Sequence, residues 1–546
     1  MKGKFSIGVA VLAVLAMATT AQAAVKVDRL PATPLTGDTL VEISELTDGN
    51  WDSRREANNR SGESYVCPDM PYTSGPCAVQ TGEFQFYGSN LMPVCKVATE
   101  TDCIDSLTFT DDQGAVVTAE RIGYAGGPVF PAVPSMNLAE GSQVSLWRAP
   151  GFQNGAGLDT YAVIARARQD WNPGLGRFST NSMDVAIVPY QVLLSDDYHA
   201  PKEFQTKFPD GTPSVGGMHP SGCAWSDEGK CGKRVDFVGT PKISLKLRAS
   251  TDLVGWFRGR LSRTAIDIQP FSATNNLVTV TGQPVSVARF GVIANAQNTP
   301  ADVQALFPAF SSNMFFSTDG WTGAPFTLIN GYRNLAKDTS RSVQTLWSFE
   351  STRVLDSNGS DKCLNDTSKV VGIVTTNATA YDGVAPTFKD DQLTYRVAAL
   401  HYLPDGKSLF EGTYDLAMRS DVARCLYGFS KAPISATISV VDDNGEAKTA
   451  VTVVNETDGW LKMAAYGFSF SNPTIKAKLT QAKPEPSATP SPAPSETATA
   501  SPSPTATPAP IKPVAKTATI TCVKGKLVKK VTGKAPKCPA GYKKKS

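Results

Sequence analysis

Residues 434–454 read ISATISVVDDNGEAKTAVTVV, and this stretch is the clearest indication of the fold. Its two flanks, 434–441 and 448–454, are rich in Ile, Val and Thr, which favour the pleated surface of a β-strand. The DDNG sequence at 442–445 contains Asn-Gly, which accepts the positive φ angles of a tight turn. We therefore expect an antiparallel hairpin here.

The hairpin lies within segment 343–480, which has the strongest β pattern in the chain. Its predicted strands are 343–349, 369–376, 393–402, 409–418, 422–429, 434–441, 448–454, 460–468 and 474–479. Short strands at this spacing, with Trp460 as a core residue, are typical of a β-sandwich domain.

Two earlier segments also have a β pattern. Short strands between turn residues predict a β domain at 24–194 and a second one at 235–342. In the second domain KISLKL at 242–247 alternates strictly, so one face of that strand should meet solvent. Between them, 195–234 is rich in Pro, Gly, Asp and Lys, and is predicted to be a loop or linker that contains a disulfide.

A small helical insert is expected at about 299–338. Thr299 suits the N-cap of a helix and Pro300 suits its first position. A second helix is predicted at 326–336, where apolar residues recur at helical spacing.

The composition changes after residue 480. Segment 481–515 consists largely of Pro, Ala, Ser and Thr, so it is predicted to be a disordered linker with extended polyproline II character. Segment 516–546, called here the basic module, contains two cysteines and many lysines. Its stretches 520–523 and 527–532 predict a small hairpin, which a disulfide would stabilise in place of a core.

The chain as a whole is predicted to be mainly β. The expected architecture is a series of tandem β-sandwich-like domains with a small helical insert, a disordered Pro/Ser/Thr linker and a small disulfide-stapled C-terminal hairpin. Composition agrees with this class, because charged residues make up 19% of the 546 residues and 44 Gly and 38 Pro supply turns.

The N-terminal 1–23 are predicted to be a signal peptide. Lys2 and Lys4 precede an apolar stretch at 5–18, and AQA at 21–23 provides a small-x-small cleavage site. No later stretch is long and apolar enough for a membrane helix, so we expect no transmembrane segment after cleavage. The expected location is secreted, extracellular or cell-wall associated.

Ten cysteines in an exported chain indicate disulfides. Although ten cysteines allow many connectivities, the simplest prediction joins sequence neighbours. These pairs are Cys67–Cys77, Cys95–Cys103, Cys223–Cys231, Cys363–Cys425 and Cys522–Cys538. None has C-x-x-C spacing, which argues against a zinc ribbon and a thioredoxin-type site.

The basic module is predicted to bind the cell envelope. Eleven lysines and no acidic residue lie between Ile511 and Ser546, whereas residues 24–510 are net acidic. The lysines expected to contact anionic envelope polymers or lipid head groups are Lys524, Lys526, Lys529, Lys530, Lys534, Lys537, Lys543, Lys544 and Lys545. Export and the lack of interleaved aromatic residues argue against nucleic acid as a partner. Two alternatives stay open: the lysines serve solubility alone, or the module is a sorting signal that is later removed.

Trp225 lies in the short loop between Cys223 and Cys231. A Trp in such a loop either stacks on a sugar or protein partner, or folds back onto the core. Because Trp is usually largely buried, the second interpretation is favoured.

No catalytic motif stands out. The sequence lacks G-x-S-x-G, Walker A and G-x-G-x-x-G patterns. His219 lies near Ser221 without a visible third partner. Paired carboxylates of the kind that a glycosidase uses all fall in predicted turns, where Asp is favoured in any case: Asp196/Asp197, Asp390/Asp391 and Asp442/Asp443. Catalytic residues are therefore unassigned.

No cofactor or metal is expected. The three histidines, His199, His219 and His401, do not form a metal-binding motif. Asp356, Asp361 and Asp366 lie close together and would suit calcium, but their spacing matches no EF-hand, so a solvated loop is favoured.

Several stretches resemble an uncharacterised family of secreted, multidomain, β-rich proteins of actinobacteria. They are TYDLAMRSDVARCLYGFSKAPISATISV (413–440), DGWLKMAAYGFSFSNPTIKAKL (458–479), LWRAPGFQNGAGLDTYAV (146–163), WFRGRL (256–261) and IDIQPFSATNNL (266–277). ITCVKGK and PKCPAGYKKK in the basic module are similar to a recurrent short two-cysteine C-terminal module of such proteins. The resemblance implies export and a β-rich fold, and it implies no catalytic residue.

These observations predict an exported cell-surface or wall-associated protein without enzymatic activity. Its β domains would bind a glycan or protein ligand, or serve in adhesion, while the basic module attaches to the envelope. The alternative is a secreted glycan-active hydrolase, which should have an acidic, aromatic-lined cleft with two suitably placed carboxylates.

Overall fold

The structure is a computed structural model of the chain. It describes residues 38–44, 52–59, 64–67, 84–200, 204–207, 213–216, 222–306, 314–317, 323–352, 362–364, 366, 368–430, 434–441, 447–448, 451–470, 474–481, 518–524, 527–533, 538 and 542–544. The predicted signal peptide, most of the predicted linker, and residues 217–221 and 442–446 lie outside this part.

The described residues contain strands throughout. The first twelve are β1 (Thr39–Ser44), β2 (Arg54–Asn59), β3 (Ser64–Val66), β4 (Phe84–Leu91), β5 (Cys103–Thr110), β6 (Val116–Thr118), β7 (Glu120–Tyr124), β8 (Ser145–Arg148), β9 (Thr160–Asn172), β10 (Arg177–Leu194), β11 (Phe204–Lys207) and β12 (Pro213–Gly216).

The middle of the chain holds the next twelve strands and the first two helices. They are β13 (Cys223–Asp227), β14 (Lys230–Arg234), β15 (Lys242–Ser250), β16 (Gly255–Arg260), β17 (Ser262–Pro270), β18 (Asn275–Gln283), β19 (Val285–Ala294), α1 (Ala301–Leu306), β20 (Met314–Ser317), α2 (Ala324–Tyr332), β21 (Ser342–Leu346), β22 (Ser348–Thr352), β23 (Val370–Thr376) and β24 (Ala380–Tyr381).

The remaining elements complete the chain. They are β25 (Thr387–Lys389), β26 (Gln392–Ala398), β27 (Glu411–Arg419), α3 (Ser420–Tyr427), β28 (Ile434–Val441), β29 (Ala447–Lys448), β30 (Val451–Thr457), β31 (Trp460–Ser469), β32 (Thr474–Gln481), β33 (Ala518–Lys524), β34 (Leu527–Gly533) and β35 (Lys543–Lys544). The described chain is therefore mainly β, which confirms the predicted class.

A fifteen-stranded sheet forms the centre. Its main order is β3-β2-β4-β9-β10-β22-β16-β23-β27-β31-β30, with β7 and β8 attached to β9, and β13 and β14 attached to β10. Neighbours in it are antiparallel except β16 and β23. Strands from 24–194, 235–342 and 343–480 share this sheet, and the hairpin β13–β14 within 195–234 belongs to it too.

A five-stranded sheet, β17-β18-β15-β5-β6, covers one face of the central sheet. Phe257 and Phe349 of the central sheet share a buried cluster with Leu245 and Val280 of the smaller sheet. Strict alternation in β15 places Ile243, Leu245 and Leu247 in this core, as the KISLKL pattern predicts.

A six-stranded sheet, with the order β24-β26-β32-β28-β29 and β25 added to β26, covers the opposite face. Trp256 precedes Phe257, so the two side chains leave β16 on opposite faces. Trp256 accordingly packs in a second buried cluster with Leu416 of the central sheet and Tyr395 and Ile475 of the six-stranded sheet. The central sheet thus serves two sandwich cores.

The helical insert packs on a four-stranded sheet, β20-β1-β19-β21. Leu328 and Tyr332 of α2 share a buried cluster with Val41 and Phe290 of that sheet. Both predicted helices are present, although α2 begins at Ala324 and its regular part ends at Tyr332.

The predicted strand at 422–429 is wrong, because this stretch forms α3. Val422, Ala423, Leu426 and Tyr427 lie on one helical face and pack in the second core. Gly428 ends the helix with φ 62°, the left-handed conformation that glycine favours.

The hairpin predicted at 434–454 is only partly correct. The strand β28 pairs with the short β29 through Val440 and Lys448. The strand β30 instead pairs with β31 in the central sheet, while β28 pairs with β32 in the six-stranded sheet. The stretch therefore crosses from one layer to the other, and its DDNG turn lies outside the described residues.

The described residues form two compact units, divided between Pro484 and Glu485. The second unit contains a three-stranded sheet, β34-β33-β35. Its hairpin β33–β34 confirms the one predicted in the basic module and is longer at both ends. The third strand, β35, is a feature that the sequence did not indicate. No helix in the described part of the chain has the length and apolar character needed to cross a membrane.

Candidate functional site

A polar cleft of about 540 Å³ lies where β9 turns into β10. Its walls include Asp170, Trp171 and Asn181 from this hairpin, and Asp252 from the turn between β15 and β16. We call this the Trp171 cleft. A volume of this size suits a small-molecule site.

A β-bulge shapes the hairpin wall. The register of β9 and β10 shifts between Thr180 and Ser182, so Asn181 is the extra residue. Bulges redirect side chains and often occur beside binding sites. The Asn181 side-chain amide donates a hydrogen bond to Asp170, which also accepts one from Arg168 Nε at 3.1 Å. The bulge therefore holds the Asp170 carboxylate in the cleft wall.

A guanidinium fork fixes the second carboxylate. Arg177 Nη1 and Nη2 donate to Asp252 Oδ2 and Oδ1 at 2.7 and 2.9 Å. Two parallel bonds of this kind add directional specificity to the charge attraction. The hydrogen bonds to Asp252 raise the pKa of Arg177.

Trp171 supplies the aromatic surface of the cleft. Its ring meets buried Phe178 edge to face, with centroids 5.4 Å apart, and the residue stays half-buried. This packing restricts the indole while part of it faces the cavity. An aromatic ring beside fixed carboxylate and amide groups can stack on the apolar face of a sugar and bond its hydroxyls.

The sequence did not identify this cleft. Asp170 and Asp252 are far apart in the chain, and each lies in or close to a turn, where Asp is common. The available signal was the stretch NPGLG at 172–176 after Trp171, which indicates a hairpin turn but not which residues face it.

A separate buried carboxyl lies between the central and five-stranded sheets. Asp415 is 5% exposed. Tyr466 donates to Asp415 Oδ1 at 2.6 Å, and the Thr264 and Arg263 amides donate to its two oxygens at 3.2 Å. Burial raises the pKa of Asp415 to about 7 despite these bonds.

Three of the five predicted disulfides are described in full. They are Cys95–Cys103, Cys223–Cys231 and Cys363–Cys425. Cys67 and Cys538 are also disulfide-bonded. Their predicted partners, Cys77 and the side chain of Cys522, lie outside the described part.

Trp225 is buried, as the favoured interpretation predicted. It is 4% exposed and meets Tyr190 edge to face at 5.3 Å. A Cβ on Gly232 would come within 2.0 Å of its indole nitrogen, so the ring lies directly on β14. Trp225 is thus part of a core rather than of a binding surface.

The two histidines that the structure describes, His199 and His401, have different partners and do not form a common site. His199 bonds Glu228 at 2.9 Å on the surface, and His401 bonds Asp338 at 2.5 Å. Arg333 donates to the same Asp338 at 2.6 Å. His219 and Ser221 lie outside the described residues.

The predicted carboxylate pairs do not form a site where they are described. Asp390 and Asp391 have φ of 51° and 57° in the turn before β26, and Asp196/Asp197 also lie in a turn. Asp442/Asp443 lie outside the described residues.

Of the proposed calcium ligands, Asp366 accepts bonds from Ser368 and pairs with Lys369, and Asp356 and Asp361 are not described. No group of three His, Cys, Asp or Glu within the described ranges is placed to hold a metal.

The lysines of the basic module are described in part. The registers place Lys529 of β34 and Lys544 of β35 opposite Cys522 on either side of β33. Lys543 and Lys544 are exposed, and Lys524 and Lys530 lie on strands. Four others lie outside the described residues: Lys526, Lys534, Lys537 and Lys545.

Comparison with protein-family models, curated proteins and solved structures gives no match for this chain. The resemblance to an actinobacterial family stays a prediction. Function therefore has to be inferred from the residues of this chain.

Proposed function

We propose that this chain is an exported, envelope-associated binding protein. Its Trp171 cleft binds a neutral, hydroxyl-rich glycan, and its basic module attaches to anionic polymers or lipid head groups of the envelope. The Trp171 cleft is the location that we propose for the glycan.

The observation that carries the proposal is the composition of the cleft wall. Trp171 offers an aromatic ring, and Asp170, Asn181 and Asp252 offer oriented hydrogen-bonding groups. A glycan presents apolar ring faces and hydroxyls, so it matches both kinds of surface at once.

The charge of the cleft favours a neutral ligand. Asp170 and Asp252 are its charged lining residues among those described, and both are acidic. An anionic polymer would meet repulsion there, whereas neutral hydroxyls donate to carboxylates. The acidic cleft and the basic module therefore suit different polymers.

The partners of the two carboxylates favour binding over hydrolysis. Asp252 is held by the Arg177 fork, and Asp170 by Arg168 and Asn181. These donors orient both carboxylates as hydrogen-bond acceptors, as binding requires, whereas a general acid has to donate a proton.

A hydrolase is the second candidate, and one observation favours it. Burial raises the pKa of Asp102, and the nearby charge of Asp252 raises it further. A carboxyl whose pKa is raised by burial near a second carboxyl group is a feature that glycosidases use.

The proposal is tested by binding to insoluble chitin and cellulose, two neutral polysaccharides. The full chain should co-sediment with at least one of them, and Trp171→Ala should lower binding about tenfold or more. Trp171→Phe keeps an aromatic ring and should retain most of the binding. Binding that is unchanged in Trp171→Ala, or absent from both polymers, would reject the glycan site.

The same samples separate the two candidate functions. A binding protein should release no soluble sugar during prolonged incubation. Release of reducing ends that Asp102→Asn and Asp252→Asn each abolish would establish the hydrolase instead.

A further inference from the structure

A second cavity of about 360 Å³ is lined in part by residues that neighbour those of the Trp171 cleft. Its walls include Asp102 and Thr101 from the loop closed by Cys95–Cys103, and Ser250 and Asn275 from the five-stranded sheet. We call this the Asp102 cavity. We propose that the two cavities form one continuous groove, and that the ligand is a linear neutral polysaccharide whose bound stretch occupies both. This inference rests on the proposed glycan-binding function of the Trp171 cleft.

The two cavities share a wall at the turn after β15. Ser250 lines the Asp102 cavity, and Thr251 and Asp252 line the Trp171 cleft. The Asp252 amide donates to Ser250 Oγ at 3.1 Å, and the Thr251 amide donates to Thr274 O at 2.8 Å. Two residues of the cleft wall, Thr251 and Asp252, are thus bonded to two residues that line the Asp102 cavity.

A second connection runs through β9 and β10. Gln169 lines the Asp102 cavity, and its cross-strand partner Thr180 lines the Trp171 cleft. Gln169 Nε2 lies 3.5 Å from Thr180 Oγ1, which belongs to the cleft wall. Gln169 is 2% exposed, so this link is a fixed part of the framework.

Hydrogen bonds link the two acids through neighbouring residues. The Thr251 amide, next to Asp252 in sequence, donates to Thr274 O, and Asn275 follows Thr274. Asn275 Nδ2 also donates to Asp102 Oδ1 at 3.1 Å, which orients this carboxyl in the cavity.

The lining of the second cavity also suits a neutral chain. Glu100, Asp102 and Glu140 line it together with Lys96, so acids outnumber cations there as in the cleft. Thr99 and Thr101 are exposed hydroxyls that can exchange hydrogen bonds with sugar. A polysaccharide that extends from the Trp171 cleft past the turn at Asp252 would therefore contact a similar lining of hydroxyl and carboxylate groups.

Two cavities in series predict that affinity depends on chain length. Chito-oligosaccharides and cello-oligosaccharides of increasing length, titrated into the full chain by calorimetry, are the probes. In at least one series, oligomers long enough to reach both cavities should bind about tenfold or more tightly than the shortest oligomer that binds. The gain should stop once both cavities are filled.

One variant tests the second cavity alone. Thr99→Trp places a bulky side chain in that cavity on an exposed loop, and it should remove the affinity gain of the long oligomers. Thr118→Trp is the matched control, because Thr118 is exposed on β6 and lines neither cavity. It should keep the full length dependence.

The outcomes separate the two proposals. Binding through Trp171 with no gain for long oligomers, or a gain that Thr99→Trp leaves intact, overturns the continuous groove and leaves the glycan site standing. No binding of either series at any length overturns both.

Discussion

Arg177 and Asp252 join the start of β10 to the turn after β15 through two parallel hydrogen bonds of 2.7 and 2.9 Å. The pair connects the central sheet to the turn that leads out of the five-stranded sheet. Because Asp252 lines the Trp171 cleft, the pair fixes the position of this carboxylate relative to the hairpin.

Arg177→Lys should weaken glycan binding several-fold, because an ammonium cannot reproduce the two parallel bonds to Asp252. Calorimetric titration with the best chitin or cellulose oligomer measures the effect. Arg166→Lys is a matched control, since Arg166 pairs with Asp184 on the same hairpin but does not line the cleft. An equal loss in both variants would mean that the hairpin as a whole, rather than the fork, is responsible.

Asp415 should make stability depend on pH. Its pKa rises from 3.8 in the unfolded chain to about 7 in the folded protein, so folding takes up a proton between these values. The contribution of Asp415 to the free energy of unfolding is fully present below pH 3.8. It falls by at most about 4 kcal/mol as the pH rises to about 7. Urea unfolding across this interval measures the slope.

Asp415→Asn should flatten that slope, because an amide does not titrate. It should also lower stability at acid pH, since its Nδ2 cannot accept the Arg263 amide bond. Asp112→Asn, at an exposed turn residue, should leave the slope as it is. A slope that persists in Asp415→Asn would show that another group is responsible.

Gly259→Ala should destabilise the protein by about 3 kcal/mol or more, because an added methyl overpacks the centre of the sheet. A Cβ at this position would lie 2.2 Å from Ser348 O and 2.8 Å from Phe349 Cα, which are backbone atoms of β22. Denaturant unfolding measures the loss. Gly123→Ala has open space around its Cβ and should be nearly neutral, and a neutral Gly259→Ala would contradict the tight packing of β16 on β22.

The Cys363–Cys425 disulfide should contribute more stability than Cys95–Cys103. The first closes a separation of 62 residues and the second closes 8. In the chain-entropy description this difference is worth about 2 kcal/mol. Replacing each pair by two alanines and comparing urea midpoints tests it, and an equal or smaller loss for Cys363/Cys425 would show that loop length does not govern the effect.

Local sequence patterns predicted many of the strands, but they did not predict which distant strands pair with one another. The alternation at Ile243, Leu245 and Leu247 identified a strand and its buried face. In contrast, Val422 to Tyr427 carries apolar residues that suit either a strand or a short helix, and the cap at Gly428 decides for the helix. The local pattern predicts that 448–454 pairs with the preceding strand, β28. Tertiary packing instead divides this stretch between two sheets, with β29 beside β28 and β30 beside β31.

The candidate site depended still more on distant contacts. Trp171 and Asp252 are ordinary residues near turns when they are read alone. They form a cleft only because the bulge at Asn181 and the fork at Arg177 bring the two turns together. In the basic module, by contrast, the lysines and the hairpin are local features, and both were visible in the sequence.

We propose that two separate surfaces hold this protein to the envelope: the lysines of the basic module and the glycan-binding cleft at Trp171. Co-sedimentation with isolated cell envelopes across a salt series tests it directly. The samples are the full chain, its Trp171→Ala variant, and a version ending at Pro484, which keeps the Gln481 hydrogen bonds to Ser430 that complete β32.

At low salt the full chain should pellet most completely and the shortened version less so. At high salt the two should pellet alike, because screening removes the contribution of the lysines. Trp171→Ala should then be released from the envelopes while the unaltered chain stays bound. Equal pelleting of the full and shortened chains at every salt concentration, with no effect of Trp171→Ala, would contradict the account.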